Sequence, residues 1–382
     1  MEATFRPVLR LRWVVPIAVI AALSGGVAFA TRSQSATPSL PPTSAAQLLA
    51  AVARAQVAGL SGTVVETARL GLPALPSVGG GRASLTGLVA GSHTIRVWYA
   101  GSDKARVAVS GTLAESDIIR NGRDLWTYQS DGNTATHTRL PAERAPTVTH
   151  GSSMALTPAD AANQTLAAVG PTTAIGVDRS VRVAGRDAYQ LRLSPKDPRS
   201  LVDSVLLAVD GRAFVPLRVQ VFAKSSPTPA FETGFISLQL RAPAANVFDF
   251  IPPPGAKVTE RPLPAPSIQE RRTAQTRTRT QLAAAQPAVL GNGWTTVVLV
   301  RNVGAATARA RGDSQLQALL QAATPVQGAF GHGRLLRTAL LTALLTDDGR
   351  LYVGAVAPEA VQTAAALPPS AARPLTGQAV TP

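Results

Sequence analysis

Cysteine is absent from the 382 residues, lysine occurs only four times (Lys104, Lys196, Lys224, Lys257), and aromatic residues make up 4% of the chain. Without a thiol there is no disulfide framework, no thiolate metal site and no cysteine to carry an acyl anchor, so the fold must hold by packing alone. The four histidines, His93, His137, His150 and His332, are spread one to a region, with none of the spacing of a helical zinc motif. A glycine-rich phosphate loop ending in Lys-Ser/Thr and a G-x-S-x-G nucleophile elbow are missing as well. Glu115 and Asp117 would share a strand face and could in principle act as acid and base. Arg120 and Arg123 nearby account for them as a solvated charged face. The expectation is a protein that is not an enzyme and uses no metal or cofactor.

The net charge is +15. Such a balance invites a nucleic-acid reading, yet the basic residues are almost all Arg, in a background of Ala, Gly and Pro that reads as compositional bias. The location implied by the N-terminus argues further against nucleic acid and leaves anionic headgroups or wall polymers as the surfaces a basic chain would meet.

That location rests on Trp13 to Ala30, eighteen residues without a charge, preceded by Arg6, Arg10 and Arg12. Residues 1–31 are read as a signal or membrane anchor, with the arginine side in the cytoplasm and everything after Thr31 outside it. Ala28-Phe29-Ala30 fits a cleavage site, in which case the protein is secreted; otherwise it stays on the outer face of the cell membrane. Residues 32–43 (RSQSATPSLPPT) form a tether that cannot bury a core.

From Ser44 the pattern becomes globular. Thr43-Ser44 can cap a helix to about Ala58 that carries an apolar stripe of Leu48, Leu49 and Val52. Short runs rich in Val, Ile and Leu then recur near every ten residues: 62–67, 93–100, 104–110, 116–120, 123–129, 134–139, 181–184, 189–193, 203–209, 213–223 and 231–241. Asn121-Gly122, Asp131-Gly132 and Asp210-Gly211 mark hairpins. A second helix is expected at Ala159 to Val169 behind Thr157-Pro158. The fold class is α+β: a curved antiparallel half-barrel of about eleven strands over residues 44–259, its apolar side under a helical lid. Phe248-Asp249-Phe250-Ile251 followed by three prolines should close it, since proline cannot donate to a ladder.

Residues 260–290 read as an Arg-rich linker and 291–368 as a small C-terminal α/β domain. Its elements are a strand from Trp294 to Asn302, a helix at Ser314 to Ala323, a hairpin of Arg334 to Thr346 with Leu351 to Ala357, and a helix at Pro358 to Leu367. Residues 369–382 form a tail.

The helix followed by Gly62-Thr63-Val64-Val65, Ile95-Arg96-Val97-Trp98-Tyr99, Asp124-Leu125-Trp126-Thr127-Tyr128, Val183-Ala184-Gly185-Arg186-Asp187-Ala188-Tyr189-Gln190-Leu191 and Val215-Pro216-Leu217-Arg218-Val219 resembles the lipoprotein-carrier superfamily. This family holds the LolA and LolB carriers and the RseB/MucB-type regulators, and the version here looks actinobacterial. The resemblance covers about Ser44 to Glu260. It implies an unclosed half-barrel that takes acyl chains of lipids or lipoproteins, and, in the regulatory branch, a second domain coupling that event to an anti-sigma factor or other membrane protein. The residues expected to line the cavity are Trp98, Trp126, Leu191, Leu217, Val219, Ile236 and Leu238, with Leu48, Leu49 and Val52 as lid. Placing Arg at Leu217 is expected to abolish ligand retention in a folded protein.

Overall fold

The computed structural model describes residues 40–71, 91–111, 114–140, 170–262, 287–303 and 314–374. The expected anchor, most of the tether, the helix at Ala159 to Val169, most of the linker and the end of the tail lie outside them.

The first helix, α1 (Ala45–Arg54), begins in a capping box. Ser44 Oγ accepts from the Gln47 amide at 3.2 Å and Gln47 Oε1 accepts from the Ser44 amide at 2.9 Å. It ends four residues short of the expected Ala58 because the chain is recruited at once into β1 (Gly59–Ala68). Gly59 is required there: a Cβ would lie 2.5 Å from the Ala242 backbone.

The meander follows the sequence pattern closely. It comprises β2 (Gly91–Ala100), β3 (Lys104–Ser110), β4 (Glu115–Asn121), β5 (Asp124–Gln129) and β6 (Thr134–Arg139), then β7 (Thr173–Val183), β8 (Arg186–Pro195), β9 (Val202–Asp210), β10 (Pro216–Ala223) and β11 (Pro229–Gln239). A twelfth strand, β12 (Lys257–Pro262), pairs parallel with β6. The sequence pattern ends the half-barrel at Thr259 and begins a linker at Glu260, because of the prolines just before. Those prolines lie between a 3-10 turn at Ala245–Phe248 and the ladder, so they remove no donor from it.

The strand order is β12-β6-β5-β4-β3-β2-β1-β11-β10-β9-β8-β7, a large open sheet with β12 and β7 at its edges. It curls: β11 and β7 come within 8 Å although three strands separate them in the order. One-residue bulges support the bend, leaving Leu217 extra in β10 against β9 and Ile236 extra in β11 against β1.

The C-terminal unit is a second sheet, wider than the sequence suggested. Its strands are β13 (Ala288–Leu290), β14 (Val297–Val300), β15 (Thr324–Gly328), β16 (Gly331–Arg337), β17 (Thr342–Thr346), β18 (Leu351–Gly354) and β19 (Arg373–Pro374), in the order β15-β16-β17-β18-β14-β13-β19. Helix α2 (Ser314–Ala322) precedes β15, and helix α3 (Pro358–Ala366) packs Val361, Ala364 and Ala365 into a core with Leu299, Leu344 and Tyr352. Two expectations are corrected. Trp294 sits in a 3-10 turn (Gly293–Thr295) ahead of β14, and the long strand 334–346 is a hairpin, because Thr338 Oγ1 accepts from the Leu341 amide at 2.9 Å and reverses the chain.

The two sheets share a core. Leu340 of the 338–341 turn packs with Val202, Ala223 and Ala230 of the large sheet, joined by Val205, Val221, Phe231 and Trp294. The Trp294 indole donates to Thr173 Oγ1 at 2.7 Å, the Leu201 amide to Ala355 O at 2.8 Å, and the Ala339 amide to Leu70 O at 2.8 Å.

Candidate ligand-binding face

Residues directly opposite across a ladder point to one face, so the register sorts the side chains. One straight row runs Val177, Leu191, Leu207, Val219, Thr233, Glu66 and His93, over strands β7, β8, β9, β10, β11, β1 and β2. A second row on the same face, two residues along each strand, runs Ile175, Leu193, Val205, Val221, Phe231 and Ala68. Past the row on its other side, Phe235, Val64, Ile95 and Val109 continue the face.

This face is covered unevenly. Helix α1 lies on its β7 to β9 end, where Leu48 is buried with Tyr189, Leu191 and Val209, and Leu49 and Val52 pack alongside. The second unit covers Val205, Val221 and Phe231. On β4, Ile118, opposite Val107, is 47% exposed.

The ten sequence-selected residues do not share one surface. Leu48, Leu49, Val52, Leu191 and Val219 belong to the α1-covered region or its row, and Leu238, opposite Gly62, packs near Val64 and Phe235. Leu217, the bulged residue, is buried in that same cluster. Arginine at Leu217 would therefore cost the fold its core and not read ligand binding alone. Ile236, the other bulged residue, is 62% exposed.

Trp98 and Trp126 lie on the opposite face, in a row that runs Trp98, Arg106, Ile119, Trp126, His137 and Glu260. That side is filled by the chain itself. The Arg106 guanidinium sits over the Trp98 ring at 5.4 Å and pairs with Asp117 at 2.8 Å, Trp126 stacks on His137 at 4.3 Å, and Phe250 packs against Trp126 and Tyr128. Ile119 and Phe248 are fully enclosed. A period of two tells which strand residues share a face with one another; a single aromatic at the right spacing does not reveal which face the sheet will close over.

Sequence reasoning passed over the polar end of the row. Glu66 is fully buried, Thr233 is 2% exposed, and His93 is half-buried. Burial holds the His93 imidazole down to a pKa of about 4, against an ordinary value of 6.5. The signal was present as a break in alternation: Glu66 falls at a position whose neighbours, Val64 and Ala68, are core. Among the described residues no group of three His, Asp or Glu is placed to hold a metal ion. No described helix is long and apolar enough to cross a membrane.

Among solved structures, three to which the chain is similar at low identity are these. A complex of MucA and MucB from Pseudomonas aeruginosa superposes with a TM-score of 0.40 at 14% identity, over 83% of this chain and 94% of the other. A second structure, of MucB with periplasmic MucA, gives 0.41 at 13% identity over 86% and 96%. A LolA superfamily protein from Nitrosomonas europaea gives 0.21 at 15% identity over 55% and 99%. No protein-family model matches the chain, and no curated protein matches it.

Proposed function

We propose that the protein is a non-enzymatic, extracytoplasmic, membrane-tethered binding protein that holds an acyl chain of a lipid or lipoprotein against the apolar face of a half-barrel, with α1 as lid. The observation that carries this reading is the run Val177, Leu191, Leu207 and Val219, four aliphatic side chains on four adjacent strands, flanked by a second aliphatic row, with the first three in the cluster under α1. Binding is by burial of methylenes at roughly 0.8 kcal/mol each, so ~10 of them leave several kcal/mol after ordering costs. The uncharged run Trp13 to Ala30 supports the tethered, exported placement.

The test is native mass spectrometry of the full chain, with organic extraction, from a host that makes acylated lipids. A co-purifying lipid is expected, and Val219→Arg, at a half-buried position of the row, should lose it while circular dichroism stays unchanged. A clean apo mass with no uptake of a fluorescent acyl probe would sink the reading.

A second reading is regulatory: the second unit binds an anti-sigma factor or another membrane protein. The shared core at Leu340 supports it, because a ligand under the large sheet and a partner on the small sheet would act on one packed junction. Arg337→Glu with Leu341→Asp, both exposed, should then remove capture of a membrane protein by crosslinking and leave lipid retention intact. Loss of neither would count against it.

A further inference from the structure

The row across the large sheet is amphipathic along its own length. Its first four members, Val177, Leu191, Leu207 and Val219, are aliphatic; its last three, Thr233, Glu66 and His93, are polar. Neighbouring strands stand ~4.8 Å apart, so the aliphatic part spans ~14 Å and the polar part continues it in a straight line. Thr233 Oγ1 and His93 Nδ1 are buried with no hydrogen-bond partner among the described residues, whereas Glu66 between them is engaged in an interaction of its own. A buried donor or acceptor left unpaired costs ~1–3 kcal/mol, and native proteins keep few of them without a reason.

We infer that Thr233 and His93 form a hydrogen-bonding station for the uncharged head of an amphiphile, of the acylglycerol kind, whose acyl chain lies across strands β10 to β7. This rests on the acyl-binding reading above and adds the class of head group. An anionic head is excluded because the row offers no cation, and Glu66, the one carboxylate of the row, is already engaged. Neither the seven residues nor the flanking positions Phe231, Ala68, Gly91, Phe235, Val64 and Ile95 include a Lys or Arg. The imidazole, held down to a pKa of about 4 by burial, is uncharged at neutral pH and pairs with a hydroxyl or ester without offering a cation to a carboxylate or phosphate. A hydroxyl and a neutral imidazole each both donate and accept, which suits a glycerol head presenting hydroxyls and a carbonyl.

The experiment is competition on the full chain at pH 8 against a pyrene-labelled monoacylglycerol, with 1-monooleoylglycerol and oleate as competitors of equal chain length. The glyceride is expected to bind at least about tenfold tighter than the ionised acid. Thr233→Val and His93→Phe, both near-isosteric, should each weaken the glyceride by about 2- to 10-fold, the worth of one hydrogen bond, and leave oleate unchanged. Equal affinity of glyceride and oleate in the wild-type chain would overturn the head-group assignment while leaving the acyl site standing. Variants that weaken both competitors alike would also overturn it, since a loss of packing acts on the tail. Absence of binding by any acyl probe would remove the parent reading and this one together.

Discussion

At the scale of single residues, the buried carboxylate of Asp210 shows how a polar group survives in a core built without disulfides. It is 1% exposed, and burial alone would raise its pKa. The opposing contacts prevail: Arg186 Nε donates to Oδ2, and the Ala213 and Arg212 amides donate to Oδ1 at 2.6 and 3.0 Å, so its pKa lies below the usual carboxylate range. Asp210→Ala therefore leaves a guanidinium and two turn amides without an acceptor and should cost ~2–4 kcal/mol, read as a lowered Tm. His93 behaves in the other sense. Its folded form resists protonation down to about pH 4, whereas the unfolded chain takes up a proton near 6.5. Stability is thus fully present above about 6.5, falls as the pH drops towards about 4, and falls no further below that through this residue. The wild-type Tm should drop relative to that of His93→Phe between pH 7 and pH 4.5; parallel profiles would show that the ring is solvated.

Whole elements depend on local chemistry of different strength. Helix α1 rests on its capping box, and Ser44→Ala should cost about 1 kcal/mol by removing the acceptor for the Gln47 amide. Because α1 packs over Leu191, the proposed acyl site predicts that the same change raises the off-rate of a bound acyl probe in stopped-flow exchange. Strand β12 is held from the side. His137 Nδ1 lies 2.8 Å from Glu260 Oε2 and Nε2 lies 3.0 Å from Asp124 Oδ1, with the ring stacked on Trp126. His137→Ala should speed amide exchange across Lys257–Pro262 while leaving β3 and β4 protected, because the exposed edge is the part with least burial. Uniform loss of protection would mean that β12 is integral to the sheet. The β12 ladder was not legible in the sequence, as a parallel strand has no turn joining it to its partner. The meander strands were legible, each hairpin being local in the chain.

At the scale of the whole molecule, the described residues form two sheets that meet in a shared hydrophobic cluster. Leu340 is nearly enclosed by Val202, Ala223 and Ala230, and the Trp294 indole reaches Thr173 across the junction. Leu340→Ala should cost ~2–4 kcal/mol and split a single calorimetric transition into two, since the coupling of the units runs through that side chain. One undivided transition in the variant would place the coupling in the backbone contacts of Leu201 with Ala355 and Ala339 with Leu70.

The short runs rich in Val, Ile and Leu near every ten residues, the turn residues and the apolar stripe of α1 made the open, largely antiparallel sheet and its first helix readable from the residues alone, since all of these are contacts between neighbours in the chain. Even there the turn chemistry shifted: positive φ falls on Asn133 and Phe214, not on Gly132 or Gly211, because loop length sets which residue must turn left-handed. Only the tertiary structure decided which face each row would bury. Trp98 and Trp126 came to the opposite face, half-buried against Arg106 and Phe250 respectively, while Thr233, Glu66 and His93, 27 to 167 residues apart in the chain, came into line with four aliphatic residues. That alignment depends on strand order and register across seven strands, and local pattern carries information about neither.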